Sequence, residues 1–132
     1  MRTSMIICLA AGLLFACEKP PGPGGRASIK GKVRAKDFNS TNTYLLAEYY
    51  IGGENVYIVY GNSGVTNENV KTDSDGSFEF KYLRPGHYKI FVNSLDTSIH
   101  IKGADKEDPV IVELDIKGAR ETVDAGEIVI NK

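Results

Sequence analysis

The stretch from Lys71 to Val92, KTDSDGSFEFKYLRPGHYKIFV, reads as two antiparallel strands together with the turns at their ends. In Asp73-Ser74-Asp75-Gly76 the aspartates bond their own downstream backbone, and glycine takes the positive φ that closes a short hairpin. A strand follows at once. From Ser77 to Tyr82 the apolar Phe78, Phe80 and Tyr82 alternate with Ser77, Glu79 and Lys81, the period of two that belongs to a strand with one buried face. Arg84-Pro85-Gly86-His87 then reverses the chain. Pro85 fixes φ near −65° and Gly86 supplies positive φ at the next position, as a type II turn requires. The return strand sets Tyr88, Ile90 and Val92 on one face.

The same period recurs on both sides of this stretch. Ser28 to Lys36 places Ile29, Gly31, Val33 and Ala35 opposite a row of cations, Lys30, Lys32, Arg34 and Lys36. Asn55 to Tyr60, Ser98 to Lys102, Val110 to Ile116 and Glu127 to Asn131 read as further strands, and Thr66 to Thr72 leads polar-first into the central stretch. Thr43 to Gly53, TYLLAEYYIGG, has two readings. As a strand it is apolar on both faces; as a helix it stacks Leu45, Leu46, Tyr49 and Tyr50 between Thr43 as N-cap and Gly52 past the C-terminus. A strand is preferred, because a small sandwich lengthens a sheet more easily than it finds a face for a helix, and its tyrosines are then expected mainly in the core. The chain of 132 residues holds a single all-β domain on this reading.

Thr72-Asp73-Ser74-Asp75-Gly76-Ser77-Phe78-Glu79-Phe80, then Leu83-Arg84-Pro85-Gly86-His87-Tyr88, resembles the carboxypeptidase regulatory-like (transthyretin-like, prealbumin-like) module, with Gly31-Lys32-Val33 matching its earlier G-x-V strand. The resemblance implies an immunoglobulin-like Greek-key β-sandwich of about seven to nine strands. It also implies a non-catalytic accessory domain of the sort found beside peptidase domains, at the start of outer-membrane transporters and in surface proteins. Leu83, Asp73, Asp75, Gly76, Pro85, Gly86 and Tyr88 are then folding residues, with the Tyr88 hydroxyl returning to the backbone as in a tyrosine corner. The related collagen-adhesin B-type domains carry a lysine–asparagine isopeptide bond, for which Lys30 or Lys32 and Asn131 are the matching positions. The acid such a bond needs is missing, since Val92 and Asn93 stand in its place.

Arg2 followed by the apolar run Met5 to Ala16 reads as a secretory leader, and the run is too short for a membrane span, which takes about 20 helical residues. Leu14-Phe15-Ala16-Cys17 resembles the lipobox of bacterial lipoproteins, although Phe15 departs from its usual small residue. That likeness makes Cys17 an acylated anchor, and Glu18 after it implies the outer membrane of a Gram-negative cell. At about 0.8 kcal/mol per buried methylene, several acyl chains hold a protein durably. Glu18 to Gly25, EKPPGPGG, reads as a tether able to extend about 25–30 Å and lift the domain clear of the headgroups. The expected organisation is residues 1–16 as signal peptide, 17–27 as lipidated cysteine and tether, and 28–132 as sandwich.

Net charge is −1, and without residues 1–16 it is 15 basic side chains against 17 acidic. Mixed charge of this kind gives no case for nucleic acid. Asp73 to Gly76 looks like half of a calcium loop, but with Gly76 at the sixth position Lys71 and Tyr82 fall where carboxylates are needed. Two histidines are too few for zinc, and no nucleophile elbow or phosphate loop is present, so neither a metal, a cofactor nor a catalytic residue is expected. The candidate ligand residues are Tyr49, Tyr50 and Tyr57 as stacking surfaces for a glycan or peptide, and the Lys30, Lys32, Arg34 row for an anion. The expected partners are a membrane through the lipid, and an outer-membrane transporter or surface complex.

Overall fold

The computed structural model describes residues 19–96 and 106–132; the strand expected over Ser98 to Lys102, the leader and Cys17 lie outside them. Among the described residues eight strands form two sheets packed face to face: β1 (Pro23–Phe38), β2 (Leu45–Tyr50), β3 (Asn55–Tyr60), β4 (Glu68–Lys71), β5 (Ser77–Leu83), β6 (Gly86–Leu95), β7 (Glu107–Ile116) and β8 (Thr122–Asn131). The chain is a single all-β sandwich of Greek-key kind, with no helix among the described residues. In the first sheet the long β1 pairs with β5 through its first half and with β2 through its second, along one edge, while β8 lies parallel to it on the other. The second sheet runs β4-β3-β6-β7, all antiparallel.

Alternation places the core where the sequence put it. Ile29, Val33 and Ala35 of β1, Phe78 and Phe80 of β5 and Ile128 and Ile130 of β8 face Val56, Ile58, Tyr88, Ile90 and Val92 across the sandwich, all nearly free of solvent. Removing the bulk of one such side chain costs about 2–5 kcal/mol. Gly31 belongs to this face: a Cβ there would stand 2.7 Å from Phe78 Cζ and 2.9 Å from the Gly126 carbonyl. The glycine is therefore needed for room, because the Phe78 ring lies over it.

The central stretch departs from the hairpin reading. β4 and β5 do not pair with each other, nor do β5 and β6; each turn carries the chain from one sheet to the other. Gly76 has φ +81°, and its N–H bonds the Asp73 carbonyl at 2.9 Å, while its own carbonyl accepts from Val33 N of β1. Gly86 has φ +148°, far from the type II value near +80°, and is already the first residue of β6. Its glycine answers to a neighbour instead, since a Cβ would stand 2.4 Å from Pro21 Cγ. Turn chemistry is the same at a hairpin and at a corner between sheets, so the sequence does not separate them.

β1 begins at Pro23, five residues ahead of the Ser28 expected as the start of the sandwich. The supposed tether is bound to the body. Gly22 is buried, its N–H donates to the Tyr88 hydroxyl at 2.8 Å, and its carbonyl accepts from Arg84 N at 2.9 Å. The Tyr88 hydroxyl in turn donates to the Arg84 carbonyl at 2.6 Å, closing a tyrosine corner that holds the entering chain as well as the turn.

Candidate functional site

Within Thr43 to Gly53 the chain forms the strand β2, Leu45–Tyr50, and not a helix, but its side chains are not core. Every residue of β2 is exposed, with Leu45 47%, Leu46 65%, Tyr49 43% and Tyr50 45% open to solvent, and Tyr44 just ahead of it is 69% open. Register explains this. Tyr49 pairs with Ala35 and so shares the core-side face of its sheet, yet the second sheet does not reach beneath it. Tyr50 and Glu48 share the outer face with Arg34 and Lys36. Ile51 N bonds Val33 O at 3.1 Å, so alternation leaves the N–H and C=O groups of Glu48 and Tyr50 pointing away from β1. Among the described residues nothing pairs with that edge.

The arm is nevertheless fixed at both ends. At its start Asn39 accepts from the backbone of Thr43 and Tyr44 at 2.7 and 3.0 Å and donates to Thr43 Oγ1. At its end the buried Thr72 hydroxyl donates to the Ile51 carbonyl at 2.5 Å and accepts from Glu54 N at 3.0 Å. An ordered apolar strand with an open edge is the geometry that accepts a further strand.

The three candidate tyrosines do not share a surface. Tyr49 overhangs on the core side of the first sheet and Tyr50 stands on its outer face, with Lys32 Nζ 4.5 Å above the ring. Tyr57 lies on the outer face of the second sheet, stacked on Phe91 at 4.9 Å and 17°, and Phe91 pairs in turn with the exposed Ile111.

Lys30, Lys32 and Arg34 do form a row along the outer face of β1, but the flanking strands line it with acids. Lys30 pairs with Glu79 on one side and Asp124 on the other, and Lys32 with Ser77 and Glu127. Arg34 Nε lies 2.8 Å from Glu127 Oε1; its N–H is not aimed at the oxygen, so the contact is an ion pair without an aligned hydrogen bond. Lys36 reaches Glu48 at 3.7 Å. A depression of about 450 Å³ over this row has both signs of charge in its walls. Asn131 pairs with Lys36, so Lys30 and Lys32 lie about 13–20 Å from it along the strand, beyond any covalent crosslink.

At the corner, Asp75 accepts from the Ser77 hydroxyl at 2.6 Å and from Ser77 N at 3.0 Å, and these bonds lower its pKa. Its carboxylate is engaged in the turn. His87 Nδ1 and Asp115 Oδ1 are 2.8 Å apart as a cross-strand pair on the outer face. No three His, Cys, Asp or Glu side chains converge among the described residues.

Tyr82, expected from its alternation with Phe78 and Phe80 on the buried face of its strand, stands in solvent instead. Lys81 and Tyr82 together oppose Ser28 in the β1–β5 register, a bulge that turns Tyr82 to φ +59° and leaves it 71% exposed. A bulky residue held there stores about 1–3 kcal/mol of strain. Alternation with Phe78 and Phe80 points it inward; only the bulge turns it out.

No family model matches the chain, and no curated protein matches it. Among solved structures, a 9R-lipoxygenase from Cyanothece PCC8801 is similar over 78% of this chain and 16% of its own, at 17% identity and a TM-score of 0.33. The chain spans about a sixth of that protein's length, and so loose a superposition carries nothing to this one's function.

Proposed function

We propose that the chain is a lipid-anchored, non-catalytic β-sandwich of the outer membrane, related to carboxypeptidase regulatory-like modules, that serves as a binding or assembly accessory of a larger surface or nutrient-uptake complex. The observation that carries this reading is β2: an ordered apolar strand whose outer edge nothing among the described residues pairs with, and whose side chains are in solvent. The lipobox-like Leu14 to Cys17 supports the anchor. The entering chain and β2 also lie toward opposite ends of β1, since Pro23 pairs with Leu83 and Phe38 with Leu45, so an anchored domain presents β2 away from its lipid. A photo-crosslinking residue at Leu46, introduced in the cells that make the protein, should yield a discrete adduct with an envelope protein; the same probe at Glu113 on β7 should yield none. Leu46→Lys should abolish co-purification of that partner without changing the unfolding midpoint, because the side chain is in water already. Equal labelling from both positions overturns the reading.

The exposed tyrosines favour a second reading, a stand-alone glycan- or peptide-binding lipoprotein that stacks its ligand on Tyr49 or Tyr50. Glycan-array binding lost in Tyr49→Ala or Tyr50→Ala selects it over the first.

A further inference from the structure

We infer that the end of the sandwich where the chain enters is a docking face for an anionic phospholipid surface, so that the domain sits on the bilayer with a fixed orientation instead of swinging above it. The inference rests on the anchored reading above and adds what the body of the protein does at the membrane.

Charge is divided between the two ends of the sandwich. Lys19 and Arg84 line one hollow at the entering end, Arg26, Lys81 and Tyr82 line the next, and the turn between β7 and β8 adds Lys117 and Arg120. That turn belongs to the same end because Ile116 pairs with Gly86 and Ser28 N bonds Glu121 O at 3.0 Å. Three acids at this end offset part of that charge without cancelling it: Glu121, whose carboxylate accepts from Lys117 N and Gly118 N at 3.1 and 2.8 Å, Asp115 facing His87, and Glu79 at 4.0 Å from Lys81. Toward the other end six acids, Asp37, Glu48, Glu54, Asp75, Glu107 and Asp108, outnumber four lysines, Lys36, Lys71, Lys106 and Lys132, and the ion pairs run from Lys36 to Glu48, from Lys132 to Glu54 and from Lys106 to Asp108. A molecule with net charge near zero is thus polar along its length, with its net positive end beside the lipid.

Two further features suit a headgroup layer. Tyr82 projects among these cations, and an exposed aromatic with a polar tip is the side chain that settles at a membrane interface. The strap fixes the distance. With Pro21 against Gly86 and Gly22 bonded to Tyr88 and Arg84, only Glu18, Lys19 and Pro20 separate Cys17 from the body, about 10 Å of chain at full extension. That is close to one Debye length at physiological salt, so the basic end remains within the field of the bilayer. A free tether of 25–30 Å would place it outside.

The test uses residues 18–132, which contain the whole described sandwich and its core but not Cys17, with vesicles of phosphatidylcholine alone or mixed with phosphatidylglycerol. Each cation near an anionic surface strengthens binding about fivefold. The chain should sediment with the mixed vesicles, remain free of the neutral ones, and dissociate when salt is raised to ~0.5 M, where the Debye length falls to about 4 Å. Arg26→Glu with Lys81→Glu should weaken binding at least tenfold, whereas Lys36→Glu with Lys132→Glu should change it less than twofold. Tyr82→Trp should shift its emission to the blue on the mixed vesicles, and Tyr49→Trp should not. Binding indifferent to lipid charge, equal losses from both double variants, or no binding overturns the inference. The anchor is tested separately: palmitate labelling of Cys17 in cells reads it alone, and its failure leaves the vesicle result standing.

Discussion

Replacing Tyr88 with Phe tests how the domain is closed at its entering end. Phe keeps the ring and its edge contact with Tyr60 at 5.9 Å, so the change isolates the hydroxyl. That oxygen donates to the Arg84 carbonyl at 2.6 Å and accepts from Gly22 N at 2.8 Å. Its loss removes two hydrogen bonds and leaves a buried N–H with no partner, together about 2–4 kcal/mol. For a domain of this size that lowers Tm by about 8–16 °C at ~4 °C per kcal/mol. Urea and thermal unfolding followed by circular dichroism measure both quantities. The decisive comparison is the same substitution in a chain that starts at Pro23. Gly22 is then absent, so Tyr88→Phe should cost only the Arg84 bond, about 1 kcal/mol, and the two changes should couple by at least ~1 kcal/mol. A loss below ~0.5 kcal/mol in the longer chain, or additivity of the two changes, refutes the strap.

Gly31→Ala should destabilise by about 1–3 kcal/mol through overpacking, since the new methyl meets Phe78 Cζ at 2.7 Å, and Phe78→Leu in the same chain should recover part of that loss in urea unfolding. The Tyr60 phenol is pushed up to about 12 by burial and by its hydrogen bond to Glu68 at 2.9 Å, from an ordinary value near 10. A raised folded pKa contributes stability that is complete below pH ~10 and is lost as pH rises toward 12, so the unfolding midpoint should fall across that window and fall less in Tyr60→Phe.

Period-two alternation made most of the fold legible. β3 runs over the residues expected of it, Asn55 to Tyr60, and the inward residues of β1, β5, β6 and β8 are those the pattern named, except Tyr82, which the bulge in β5 turns into solvent. Pairing was not legible. Asp73 to Gly76 and Arg84 to Gly86 carry the residues a hairpin needs, yet both are corners between sheets, because which strands pair is decided by contacts far apart in sequence, such as Val33 N with Gly76 O. The strap was hidden for a related reason. A Pro-Gly segment reads as spacer from its composition, and only the Tyr88 hydroxyl, 66 residues away, makes Gly22 part of the domain.

β2 marks where a hydrophobic pattern stops being informative. Leucine and tyrosine on both faces of a strand describe equally well a segment buried between two layers and one that awaits a partner, since apolar area removed from water stabilises either arrangement by the same ~25 cal/mol per Å². What separates them is the span of the opposite sheet, a property of the whole topology. The four strands of the second sheet leave Ala47 and Tyr49 uncovered, while Thr72 and Asn39 hold the arm in place. Disorder would have allowed the apolar side chains to collapse onto the body; order keeps them apart from it. The fold thus sets its exposed apolar strand toward one end and Arg26, Lys81 and Arg84, with the exposed Tyr82, at the other, so that a domain resting on a membrane through the second would keep the first open to a protein that approaches from outside.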